Sequence, residues 1–411
     1  MRESQQHAVV IGDNPAAFAA ALELAEVGVA VTLQLGAQSL WPYAPVHDSD
    51  NALATLLARP GELSRDLEIA ITRVPAGPLY FGSNTATAKQ LVGPRIGGIT
   101  GNPLASQNRS LLGGGGSFRA YLDRLLPVLT IGKYKNLQGL LKRRIGTQAS
   151  RLAAAELTTR YPQDFAVLET QAVFPGLNEA ITRAGSLTGG VSLLAAEQSE
   201  QSLILPAAGW DDAREKLLTA LRSYGVTVKP TAELQHATLA TELSNATLVL
   251  APGNPAEAQE FLDVTAIAEA AKPAGIYGVL EKVASLPRVY LSITYEEVQW
   301  DAPHGAELIV TENASPRRLR LLYPEEFASR GDGTAQSVSI SGEAVTGARV
   351  ESAPFGTVAQ MLEVTAVREE AGAAEAALLV GPTVWGGAIA AAVADLEPLV
   401  KRLRRKLMGI A

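Results

Sequence analysis

The start of the chain places two strand-like runs around a helix-like one, and this order constrains the fold more than any other feature. Ala8-Val9-Val10-Ile11 is a short apolar run rich in β-branched residues. Ala16 to Glu26 repeats apolar residues at helical spacing, and Val29 to Leu35 returns to strand-like residues after Gly28. This alternation predicts a βαβ unit of a parallel sheet. The loop Gly12-Asp13-Asn14-Pro15-Ala16-Ala17 joins the first two runs. It has the outline of a G-x-G-x-x-G turn, in which glycines permit the tight turn, close backbone approach to a diphosphate and close helix–strand contact. Gly12 keeps the first position, Asn14 stands at the second and Ala17 at the third.

Asn14 brings a side chain to where a diphosphate would lie. At the end of the second strand, where a carboxylate would take ribose hydroxyls, the spacing points to Leu35, which has no hydrogen-bonding group. Asp13 suits a helix dipole but opposes a diphosphate. Taken alone, the unit leaves three readings open: an FAD or NAD site, an altered nucleotide site, or a purely structural βαβ unit.

Composition narrows the remainder. With 411 residues, 47% of them hydrophobic, the chain is long enough for two or more domains. A net charge of -7 supplies no excess of cations to neutralise phosphates, so nucleic acid is not an expected partner. Cysteine is absent, which excludes disulfides, thiolate nucleophiles and cysteine-ligated metals. His7, His47, His236 and His304 are too scattered to suggest a metal site. Glu3 precedes the first apolar run and Gly12 to Pro15 break it, which predicts neither a leader nor a membrane span, and hence a cytoplasmic protein.

Further along, Trp41 to Leu91 shows no clear architecture. Gly113 to Gly116 read as a loop or hinge before a helix from Phe118 to Leu126, and Leu137 to Leu157 as a second helix with Lys142-Arg143-Arg144 on a solvated face. After the segment Leu203 to Trp210, a helix from Asp211 to Ser223 and strands at Val226 to Val228 and Ala246 to Ala251 continue the α/β pattern. Val289 to Thr294, Glu307 to Thr311, Arg318 to Tyr323, Ser337 to Ser341 and Gln360 to Thr365 read as further strands. Ala376 to Val380 and Trp385 to Arg402 close the chain as strand and helix.

The order of these segments resembles the FAD-dependent amine oxidase superfamily, in its protoporphyrinogen oxidase and phytoene desaturase-like branch. Val9 to Gly12 with Val31 to Leu33 is similar to the N-terminal flavin motif. Phe174 to Ile181 with Gly185-Ser186-Leu187, Leu205-Pro206 with Gly209-Trp210, and Ala246 to Gly253 are similar to later family segments. Gly381 with Gly386-Gly387-Ala388-Ile389 resembles the C-terminal flavin motif.

The resemblance implies a two-lobed α/β fold. Its discontinuous Rossmann-like domain would comprise residues 1–75, 201–270 and 366–411, and its α+β substrate-type domain residues 76–200 and 271–365. It assigns the cofactor positions to Gly12, Asn14, Ala17, Leu35, Gly381, Gly386 and Gly387. Those motifs are degenerate: Pro382 stands where the family has an acid, and no glycine-rich arginine motif follows the second strand.

No substitute catalytic centre emerges. Adjacent carboxylates such as Asp211/Asp212, Glu296/Glu297 and Glu325/Glu326 do not share a face, and no G-x-S-x-G elbow is present. Trp41, Tyr43, Tyr80 and Phe81 read as core packing or pocket lining. Tyr121, Tyr134 and Tyr161 read as a channel remnant or a surface buried by a partner. The expectation is a cofactor-free or cofactor-impaired flavoprotein-like binding or assembly protein, with a protein or hydrophobic small molecule as partner. The alternatives are a divergent FAD-dependent oxidoreductase acting on a hydrophobic substrate, and a carrier of a porphyrin or isoprenoid.

Overall fold

The computed structural model describes residues 7–36, 38–126, 135–199, 203–230, 246–264, 267, 269, 272, 275–311, 316–327, 334–373 and 377–408. Tyr134 and His236 lie outside them.

Strand β1 (His7–Ile11), helix α1 (Pro15–Ala25) and strand β2 (Ala30–Gln34) form the expected βαβ unit. They belong to a five-stranded parallel sheet with the order Thr227–Lys229, β2, β1, Thr247–Leu250, Ala377–Leu379. Its strands thus come from three separate stretches of chain. Alternation along β1 explains why the sheet is covered on both sides. Ala8 and Val10 face a core with Phe18, Leu22, Leu217 and Leu396, whereas Val9 and Ile11 face one with Leu250, Phe261, Ile276 and Leu280. Every residue of α1 is buried. A helix apolar all round suits a buried position, and its alanines let helices Gly209–Ser223 and Ile389–Leu407 pack against it.

The second lobe is built on a seven-stranded mixed sheet. Its order is Arg349–Ser352, Arg288–Glu296, Ala335–Ser341, Arg317–Leu321, Glu307–Val310, Leu79–Gly82, Lys89–Leu91. Beside it, helices Ser106–Tyr121, Leu137–Leu157, Leu177–Ala184 and Leu187–Ser199 enclose a core around Leu140, Leu141, Ile181 and Val191. Arg318 joins sheet to helices: its guanidinium meets Glu156 at 2.7 Å and Glu307 at 2.6 Å. Burial alone raises the Glu307 carboxyl, but Arg318 and Arg160 overcome this and hold it down to about 2.

Four expectations are corrected. Gln360 to Thr365 is not a strand but part of helix Val358–Ala373. Thr357 and Gln360 form a reciprocal capping box, the Gln360 N–H donating to Thr357 Oγ1 and the Thr357 N–H to Gln360 Oε1. Val364, Val367 and Ala371 then share its buried face. Of the loop or hinge read at Gly113 to Gly116, the break falls at Gly113, whose φ of 70° kinks Ser106–Tyr121 into two helices, while Gly114 to Gly116 are themselves helical. Lys142 and Arg143 are exposed as expected, but Arg144 is buried against Asp123 at 2.6 Å. The last helix runs Ile389–Leu407, because Pro382–Trp385 forms a separate 3-10 turn ahead of Gly386 and Gly387. The unassigned stretch after Trp41 contains helix Ala52–Leu63 and strands Val46–His47, Ile71–Val74, Leu79–Gly82 and Lys89–Leu91.

Asp123 also accepts hydrogen bonds from the N–H and Oγ1 of Thr188, at 2.8 and 3.2 Å. Asp123→Ala strands the Arg144 charge in the interior and is expected to lower stability by about 3–5 kcal/mol. The denaturant midpoint measures this, and an unchanged midpoint contradicts the ion pair's role.

Candidate functional site

The candidate site lies where β1 and strand Thr247–Leu250 end side by side. Gly12 has φ 143°, and a Cβ there would stand 2.4 Å from the carbonyl oxygen of Ala251. The glycine is therefore required by the neighbouring backbone. Asn14 follows in extended conformation and caps α1, its Oδ1 accepting from the N–H groups of Ala16 and Ala17 at 3.1 and 3.2 Å. Its Nδ2 donates to the Ala251 carbonyl at 2.7 Å. Asn14 is fully buried, and both ends of its amide are engaged.

Asp13 is buried too, in a pocket made by distant parts of the chain. Arg214, on helix Gly209–Ser223, grips the carboxylate bidentately, Nε to Oδ1 at 2.9 Å and Nη2 to Oδ2 at 2.6 Å. The indole N–H of Trp41 donates to Oδ1 at 3.2 Å, and the Leu40 N–H donates to the Asp13 carbonyl at 2.8 Å. Trp41 also packs edge-on against Phe18 of α1, ring centres 5.1 Å apart. The segment after β2 is thereby folded down over the glycine loop.

Leu35 is half-buried beside the core around α1, and its N–H pairs with the Lys229 carbonyl at 3.0 Å. Behind it, the fully buried Gln34 directs its amide nitrogen to the Pro230 carbonyl at 2.7 Å. Next to this segment stands Glu257. Its Oε1 lies only 1.8 Å from where a Cβ on Gly36 would be, and has no hydrogen-bond partner among the described residues. Its Oε2 accepts from the Gly253 N–H at 2.6 Å. Burial outweighs that hydrogen bond, and the carboxyl is pushed up to about 8.

Glu257 belongs to a second corner built like the first. Asn254-Pro255-Ala256 repeats Asn14-Pro15-Ala16, and Asn254 caps helix Pro255–Asp263 through the Glu257 N–H at 2.9 Å. Backbone angles agree closely, φ -152° and ψ 165° at Asn14 against φ -150° and ψ 166° at Asn254.

Gly381 reaches the same place from the C-terminal segment. It has φ 112°, and a Cβ would lie 2.9 Å from the Pro252 carbonyl oxygen, to which Thr383 Oγ1 donates at 2.7 Å. Gly12, Asn14 and Gly381 therefore converge on residues 251 and 252, with Ala17 one turn into α1. Gly386 (φ 57°) and Gly387 (φ 82°) instead approach the Phe355 ring and the Ser352 carbonyl. Sequence reasoning missed Arg214 and Glu257. The repeated Asn–Pro–Ala pattern offered a signal for the second corner, and none marked Arg214.

The adjacent carboxylates serve structure: Glu326 pairs with Arg320, Glu296 with Arg317 and Asp212 with Lys216. Tyr80 packs on Trp300, and Phe81 is buried beside Leu79 and Leu91. Among the described residues no cluster of three His, Asp or Glu has the arrangement of a metal site. No helix among them is long and apolar enough to cross a membrane.

A parallel sheet assembled from three chain segments, joined to a lobe with a mixed sheet and helices, gives a two-lobed α/β architecture that resembles the FAD-dependent amine oxidase fold. The chain is similar in fold to one from Exiguobacterium sp. 255-15 assigned as a protoporphyrinogen oxidase, with 14% identity, coverage of 98% of this chain and 99% of that one, and a TM-score of 0.64. An oxidoreductase from Methanosarcina mazei follows at 12% identity, 96% and 100% coverage, and a TM-score of 0.53. Cyclohexylamine oxidase from Brevibacterium oxydans IH-35A stands at 11% identity, 97% and 99% coverage, and a TM-score of 0.50. No protein-family model and no curated protein sequence matches the chain. Structural likeness at identities this low shows the fold alone.

Glu257 provides a pH test of this geometry. Its pKa is raised in the fold, so its contribution is fully present below the unfolded value near 4.5 and is lost as pH rises toward about 8. Unfolding free energy is expected to fall through that window by several kcal/mol, on the order of 3–5. In Glu257→Gln that part of the slope should vanish. An identical pH profile in the variant contradicts a neutral buried carboxyl.

Proposed function

We propose that this chain uses the amine oxidase fold without a flavin, as a binding or assembly protein. The observation that carries this reading is the closure of the first crossover by its own side chains. The helix N-terminus that would face a diphosphate has two of its N–H groups capped by Asn14, which removes the free donors an anion site needs. The residue just before that cap, Asp13, is buried with its carboxylate held by Arg214 and Trp41.

Other residues fit FAD no better. Leu35 offers the ribose no hydrogen bond, Pro382 has no backbone donor, and the Glu257 carboxyl lies against Gly36. An entering cofactor would have to displace the cap, Leu40 and Trp41 together. A protein partner suits this reading, because the large two-lobed surface is kept while the cofactor cleft is used for internal packing.

One observation favours the alternative of a divergent FAD-dependent oxidoreductase acting on a hydrophobic substrate: Gly12, Gly381, Gly386 and Gly387 all keep positive φ. A porphyrin or isoprenoid carrier gains less support. Arg318, Arg320, Glu307 and Gln336 form an ion-paired and hydrogen-bonded face on the mixed sheet, poorly matched to an apolar ligand.

Freshly purified protein is expected to be colourless between 300 and 700 nm and to keep its melting temperature when FAD is added. Bound flavin in the spectrum, or stabilisation approaching the ~2.7 kcal/mol of a ligand at a hundred times its Kd, would replace this reading with the oxidoreductase alternative.

A further inference from the structure

Residues 38–43, which follow β2, lie between the two lobes and are fastened on both edges. On one edge the buried Leu40 donates its N–H to the Asp13 carbonyl at 2.8 Å, and the buried Trp41 donates its indole N–H to the Asp13 carboxylate at 3.2 Å. The Leu40 side chain fills the space that a Cβ on Gly253 would need. On the other edge two side chains of the mixed sheet hold carbonyls of the segment. Arg349 Nη2 donates to Trp41 at 2.7 Å and Gln336 Nε2 to Tyr43 at 3.0 Å, and the Arg349 guanidinium lies 5.6 Å from the centre of the Tyr43 ring.

Glu257 sits beneath the start of this segment, 4% exposed, with its carboxyl in the space that a Cβ on Gly36 would take. Oε2 has one donor, the Gly253 N–H, and Oε1 has none among the described residues. That suffices for a protonated carboxyl, whereas a buried carboxylate needs several donors or a cation. Among the described residues no cation pairs with it: Arg214 is engaged by Asp13 and Arg349 by Glu351. The charges that act on it are both acids, Glu260 on its own helix and Asp13 on the first loop. Tyr43, the one titratable group of residues 38–43, is itself pushed up by burial.

We propose that residues 38–43 form a pH-sensitive strap, closed while Glu257 is protonated and released when its proton passes to water. An ionised Glu257 has to leave its place against Gly36 to reach solvent, and the strap that begins there is displaced with it. Release takes Leu40 and Trp41 off Asp13 and frees Arg349 and Gln336 on the mixed sheet, so one ionisation opens the crossover corner and uncouples it from the second lobe. The sign follows from linkage: burial raises the carboxyl in the closed state, so the closed strap is favoured fully below the ordinary value of 4.5 and loses ground as pH rises toward about 8. The proposal rests on the crossover being closed by its own side chains. Hydrogen exchange measured without FAD can fail it while the protein stays colourless, so the two failures are distinguishable.

The test is amide hydrogen exchange of the full chain from about pH 5.5 to about pH 8.5, corrected for the intrinsic pH dependence of exchange. The Leu40 N–H reports the strap, and the Val10 N–H, in the middle strand of the parallel sheet, reports opening of the whole domain. Leu40 is expected to be at least about tenfold less protected than Val10. Its protection should fall by nearly tenfold per pH unit up to about pH 7.5 and level off above about pH 8. Glu257→Gln keeps the shape without the charge, and in it the protection of Leu40 should stay flat across the same range. A pH-independent Leu40 in the parent chain, or an equal slope in Glu257→Gln, would overturn the proposal. So would equal protection of Leu40 and Val10, which means that the strap is released only when the domain unfolds, and this comparison within the parent chain decides the point even where the variant does not fold.

Discussion

A carboxylate buried at the mouth of a parallel sheet needs a counter-charge, and the ion pair between Asp13 and Arg214 supplies it. The two residues are 201 positions apart, so the pair ties the first loop of the chain to helix Gly209–Ser223. Trp41 joins the same carboxylate and packs on Phe18, drawing in the segment that follows β2. Three parts of the chain are held around a charge that would otherwise be costly to bury.

The rest of the corner follows from this closure. With Asp13 turned toward Arg214, Asn14 caps α1 and bridges to Ala251, linking the ends of two adjacent strands. Asn254 caps the neighbouring helix with nearly the same backbone geometry and donates to the Val350 carbonyl at 3.0 Å, tying this corner to the mixed sheet. Where a nucleotide-binding crossover would offer free N–H groups to an anion, these two corners offer side chains already satisfied internally. Glu257, its carboxyl raised by burial above the ordinary carboxylate range, completes this second corner by accepting from the Gly253 N–H at 2.6 Å.

Much of the fold was legible because it rests on local periodicity. The run from Ala8 to Leu35, the helix after Gly209 and the apolar strands near Leu248 and Leu378 each carry a clean strand or helix period. Gln360 to Thr365 was misread because its β-branched residues resemble a strand, whereas the capping box from Thr357 to Gln360 and the helical spacing of Val364, Val367 and Ala371 decide the outcome. Of the site, Gly12, Asn14 and Gly381 were legible from motif spacing. Arg214 was not, because its meaning depends on a partner far away in the chain. Nor did Glu257 announce itself, since only burial distinguishes it from other glutamates in first helical turns.

A double-mutant cycle on Asp13→Asn and Arg214→Gln, read by denaturant unfolding, tests most directly whether this ion pair closes the site. Each single change is expected to be clearly destabilising and the pair to be coupled by about 2 kcal/mol or more. Effects that add to within about 0.5 kcal/mol would contradict it, leaving Asp13 as a tolerated charge rather than the clasp of the first crossover.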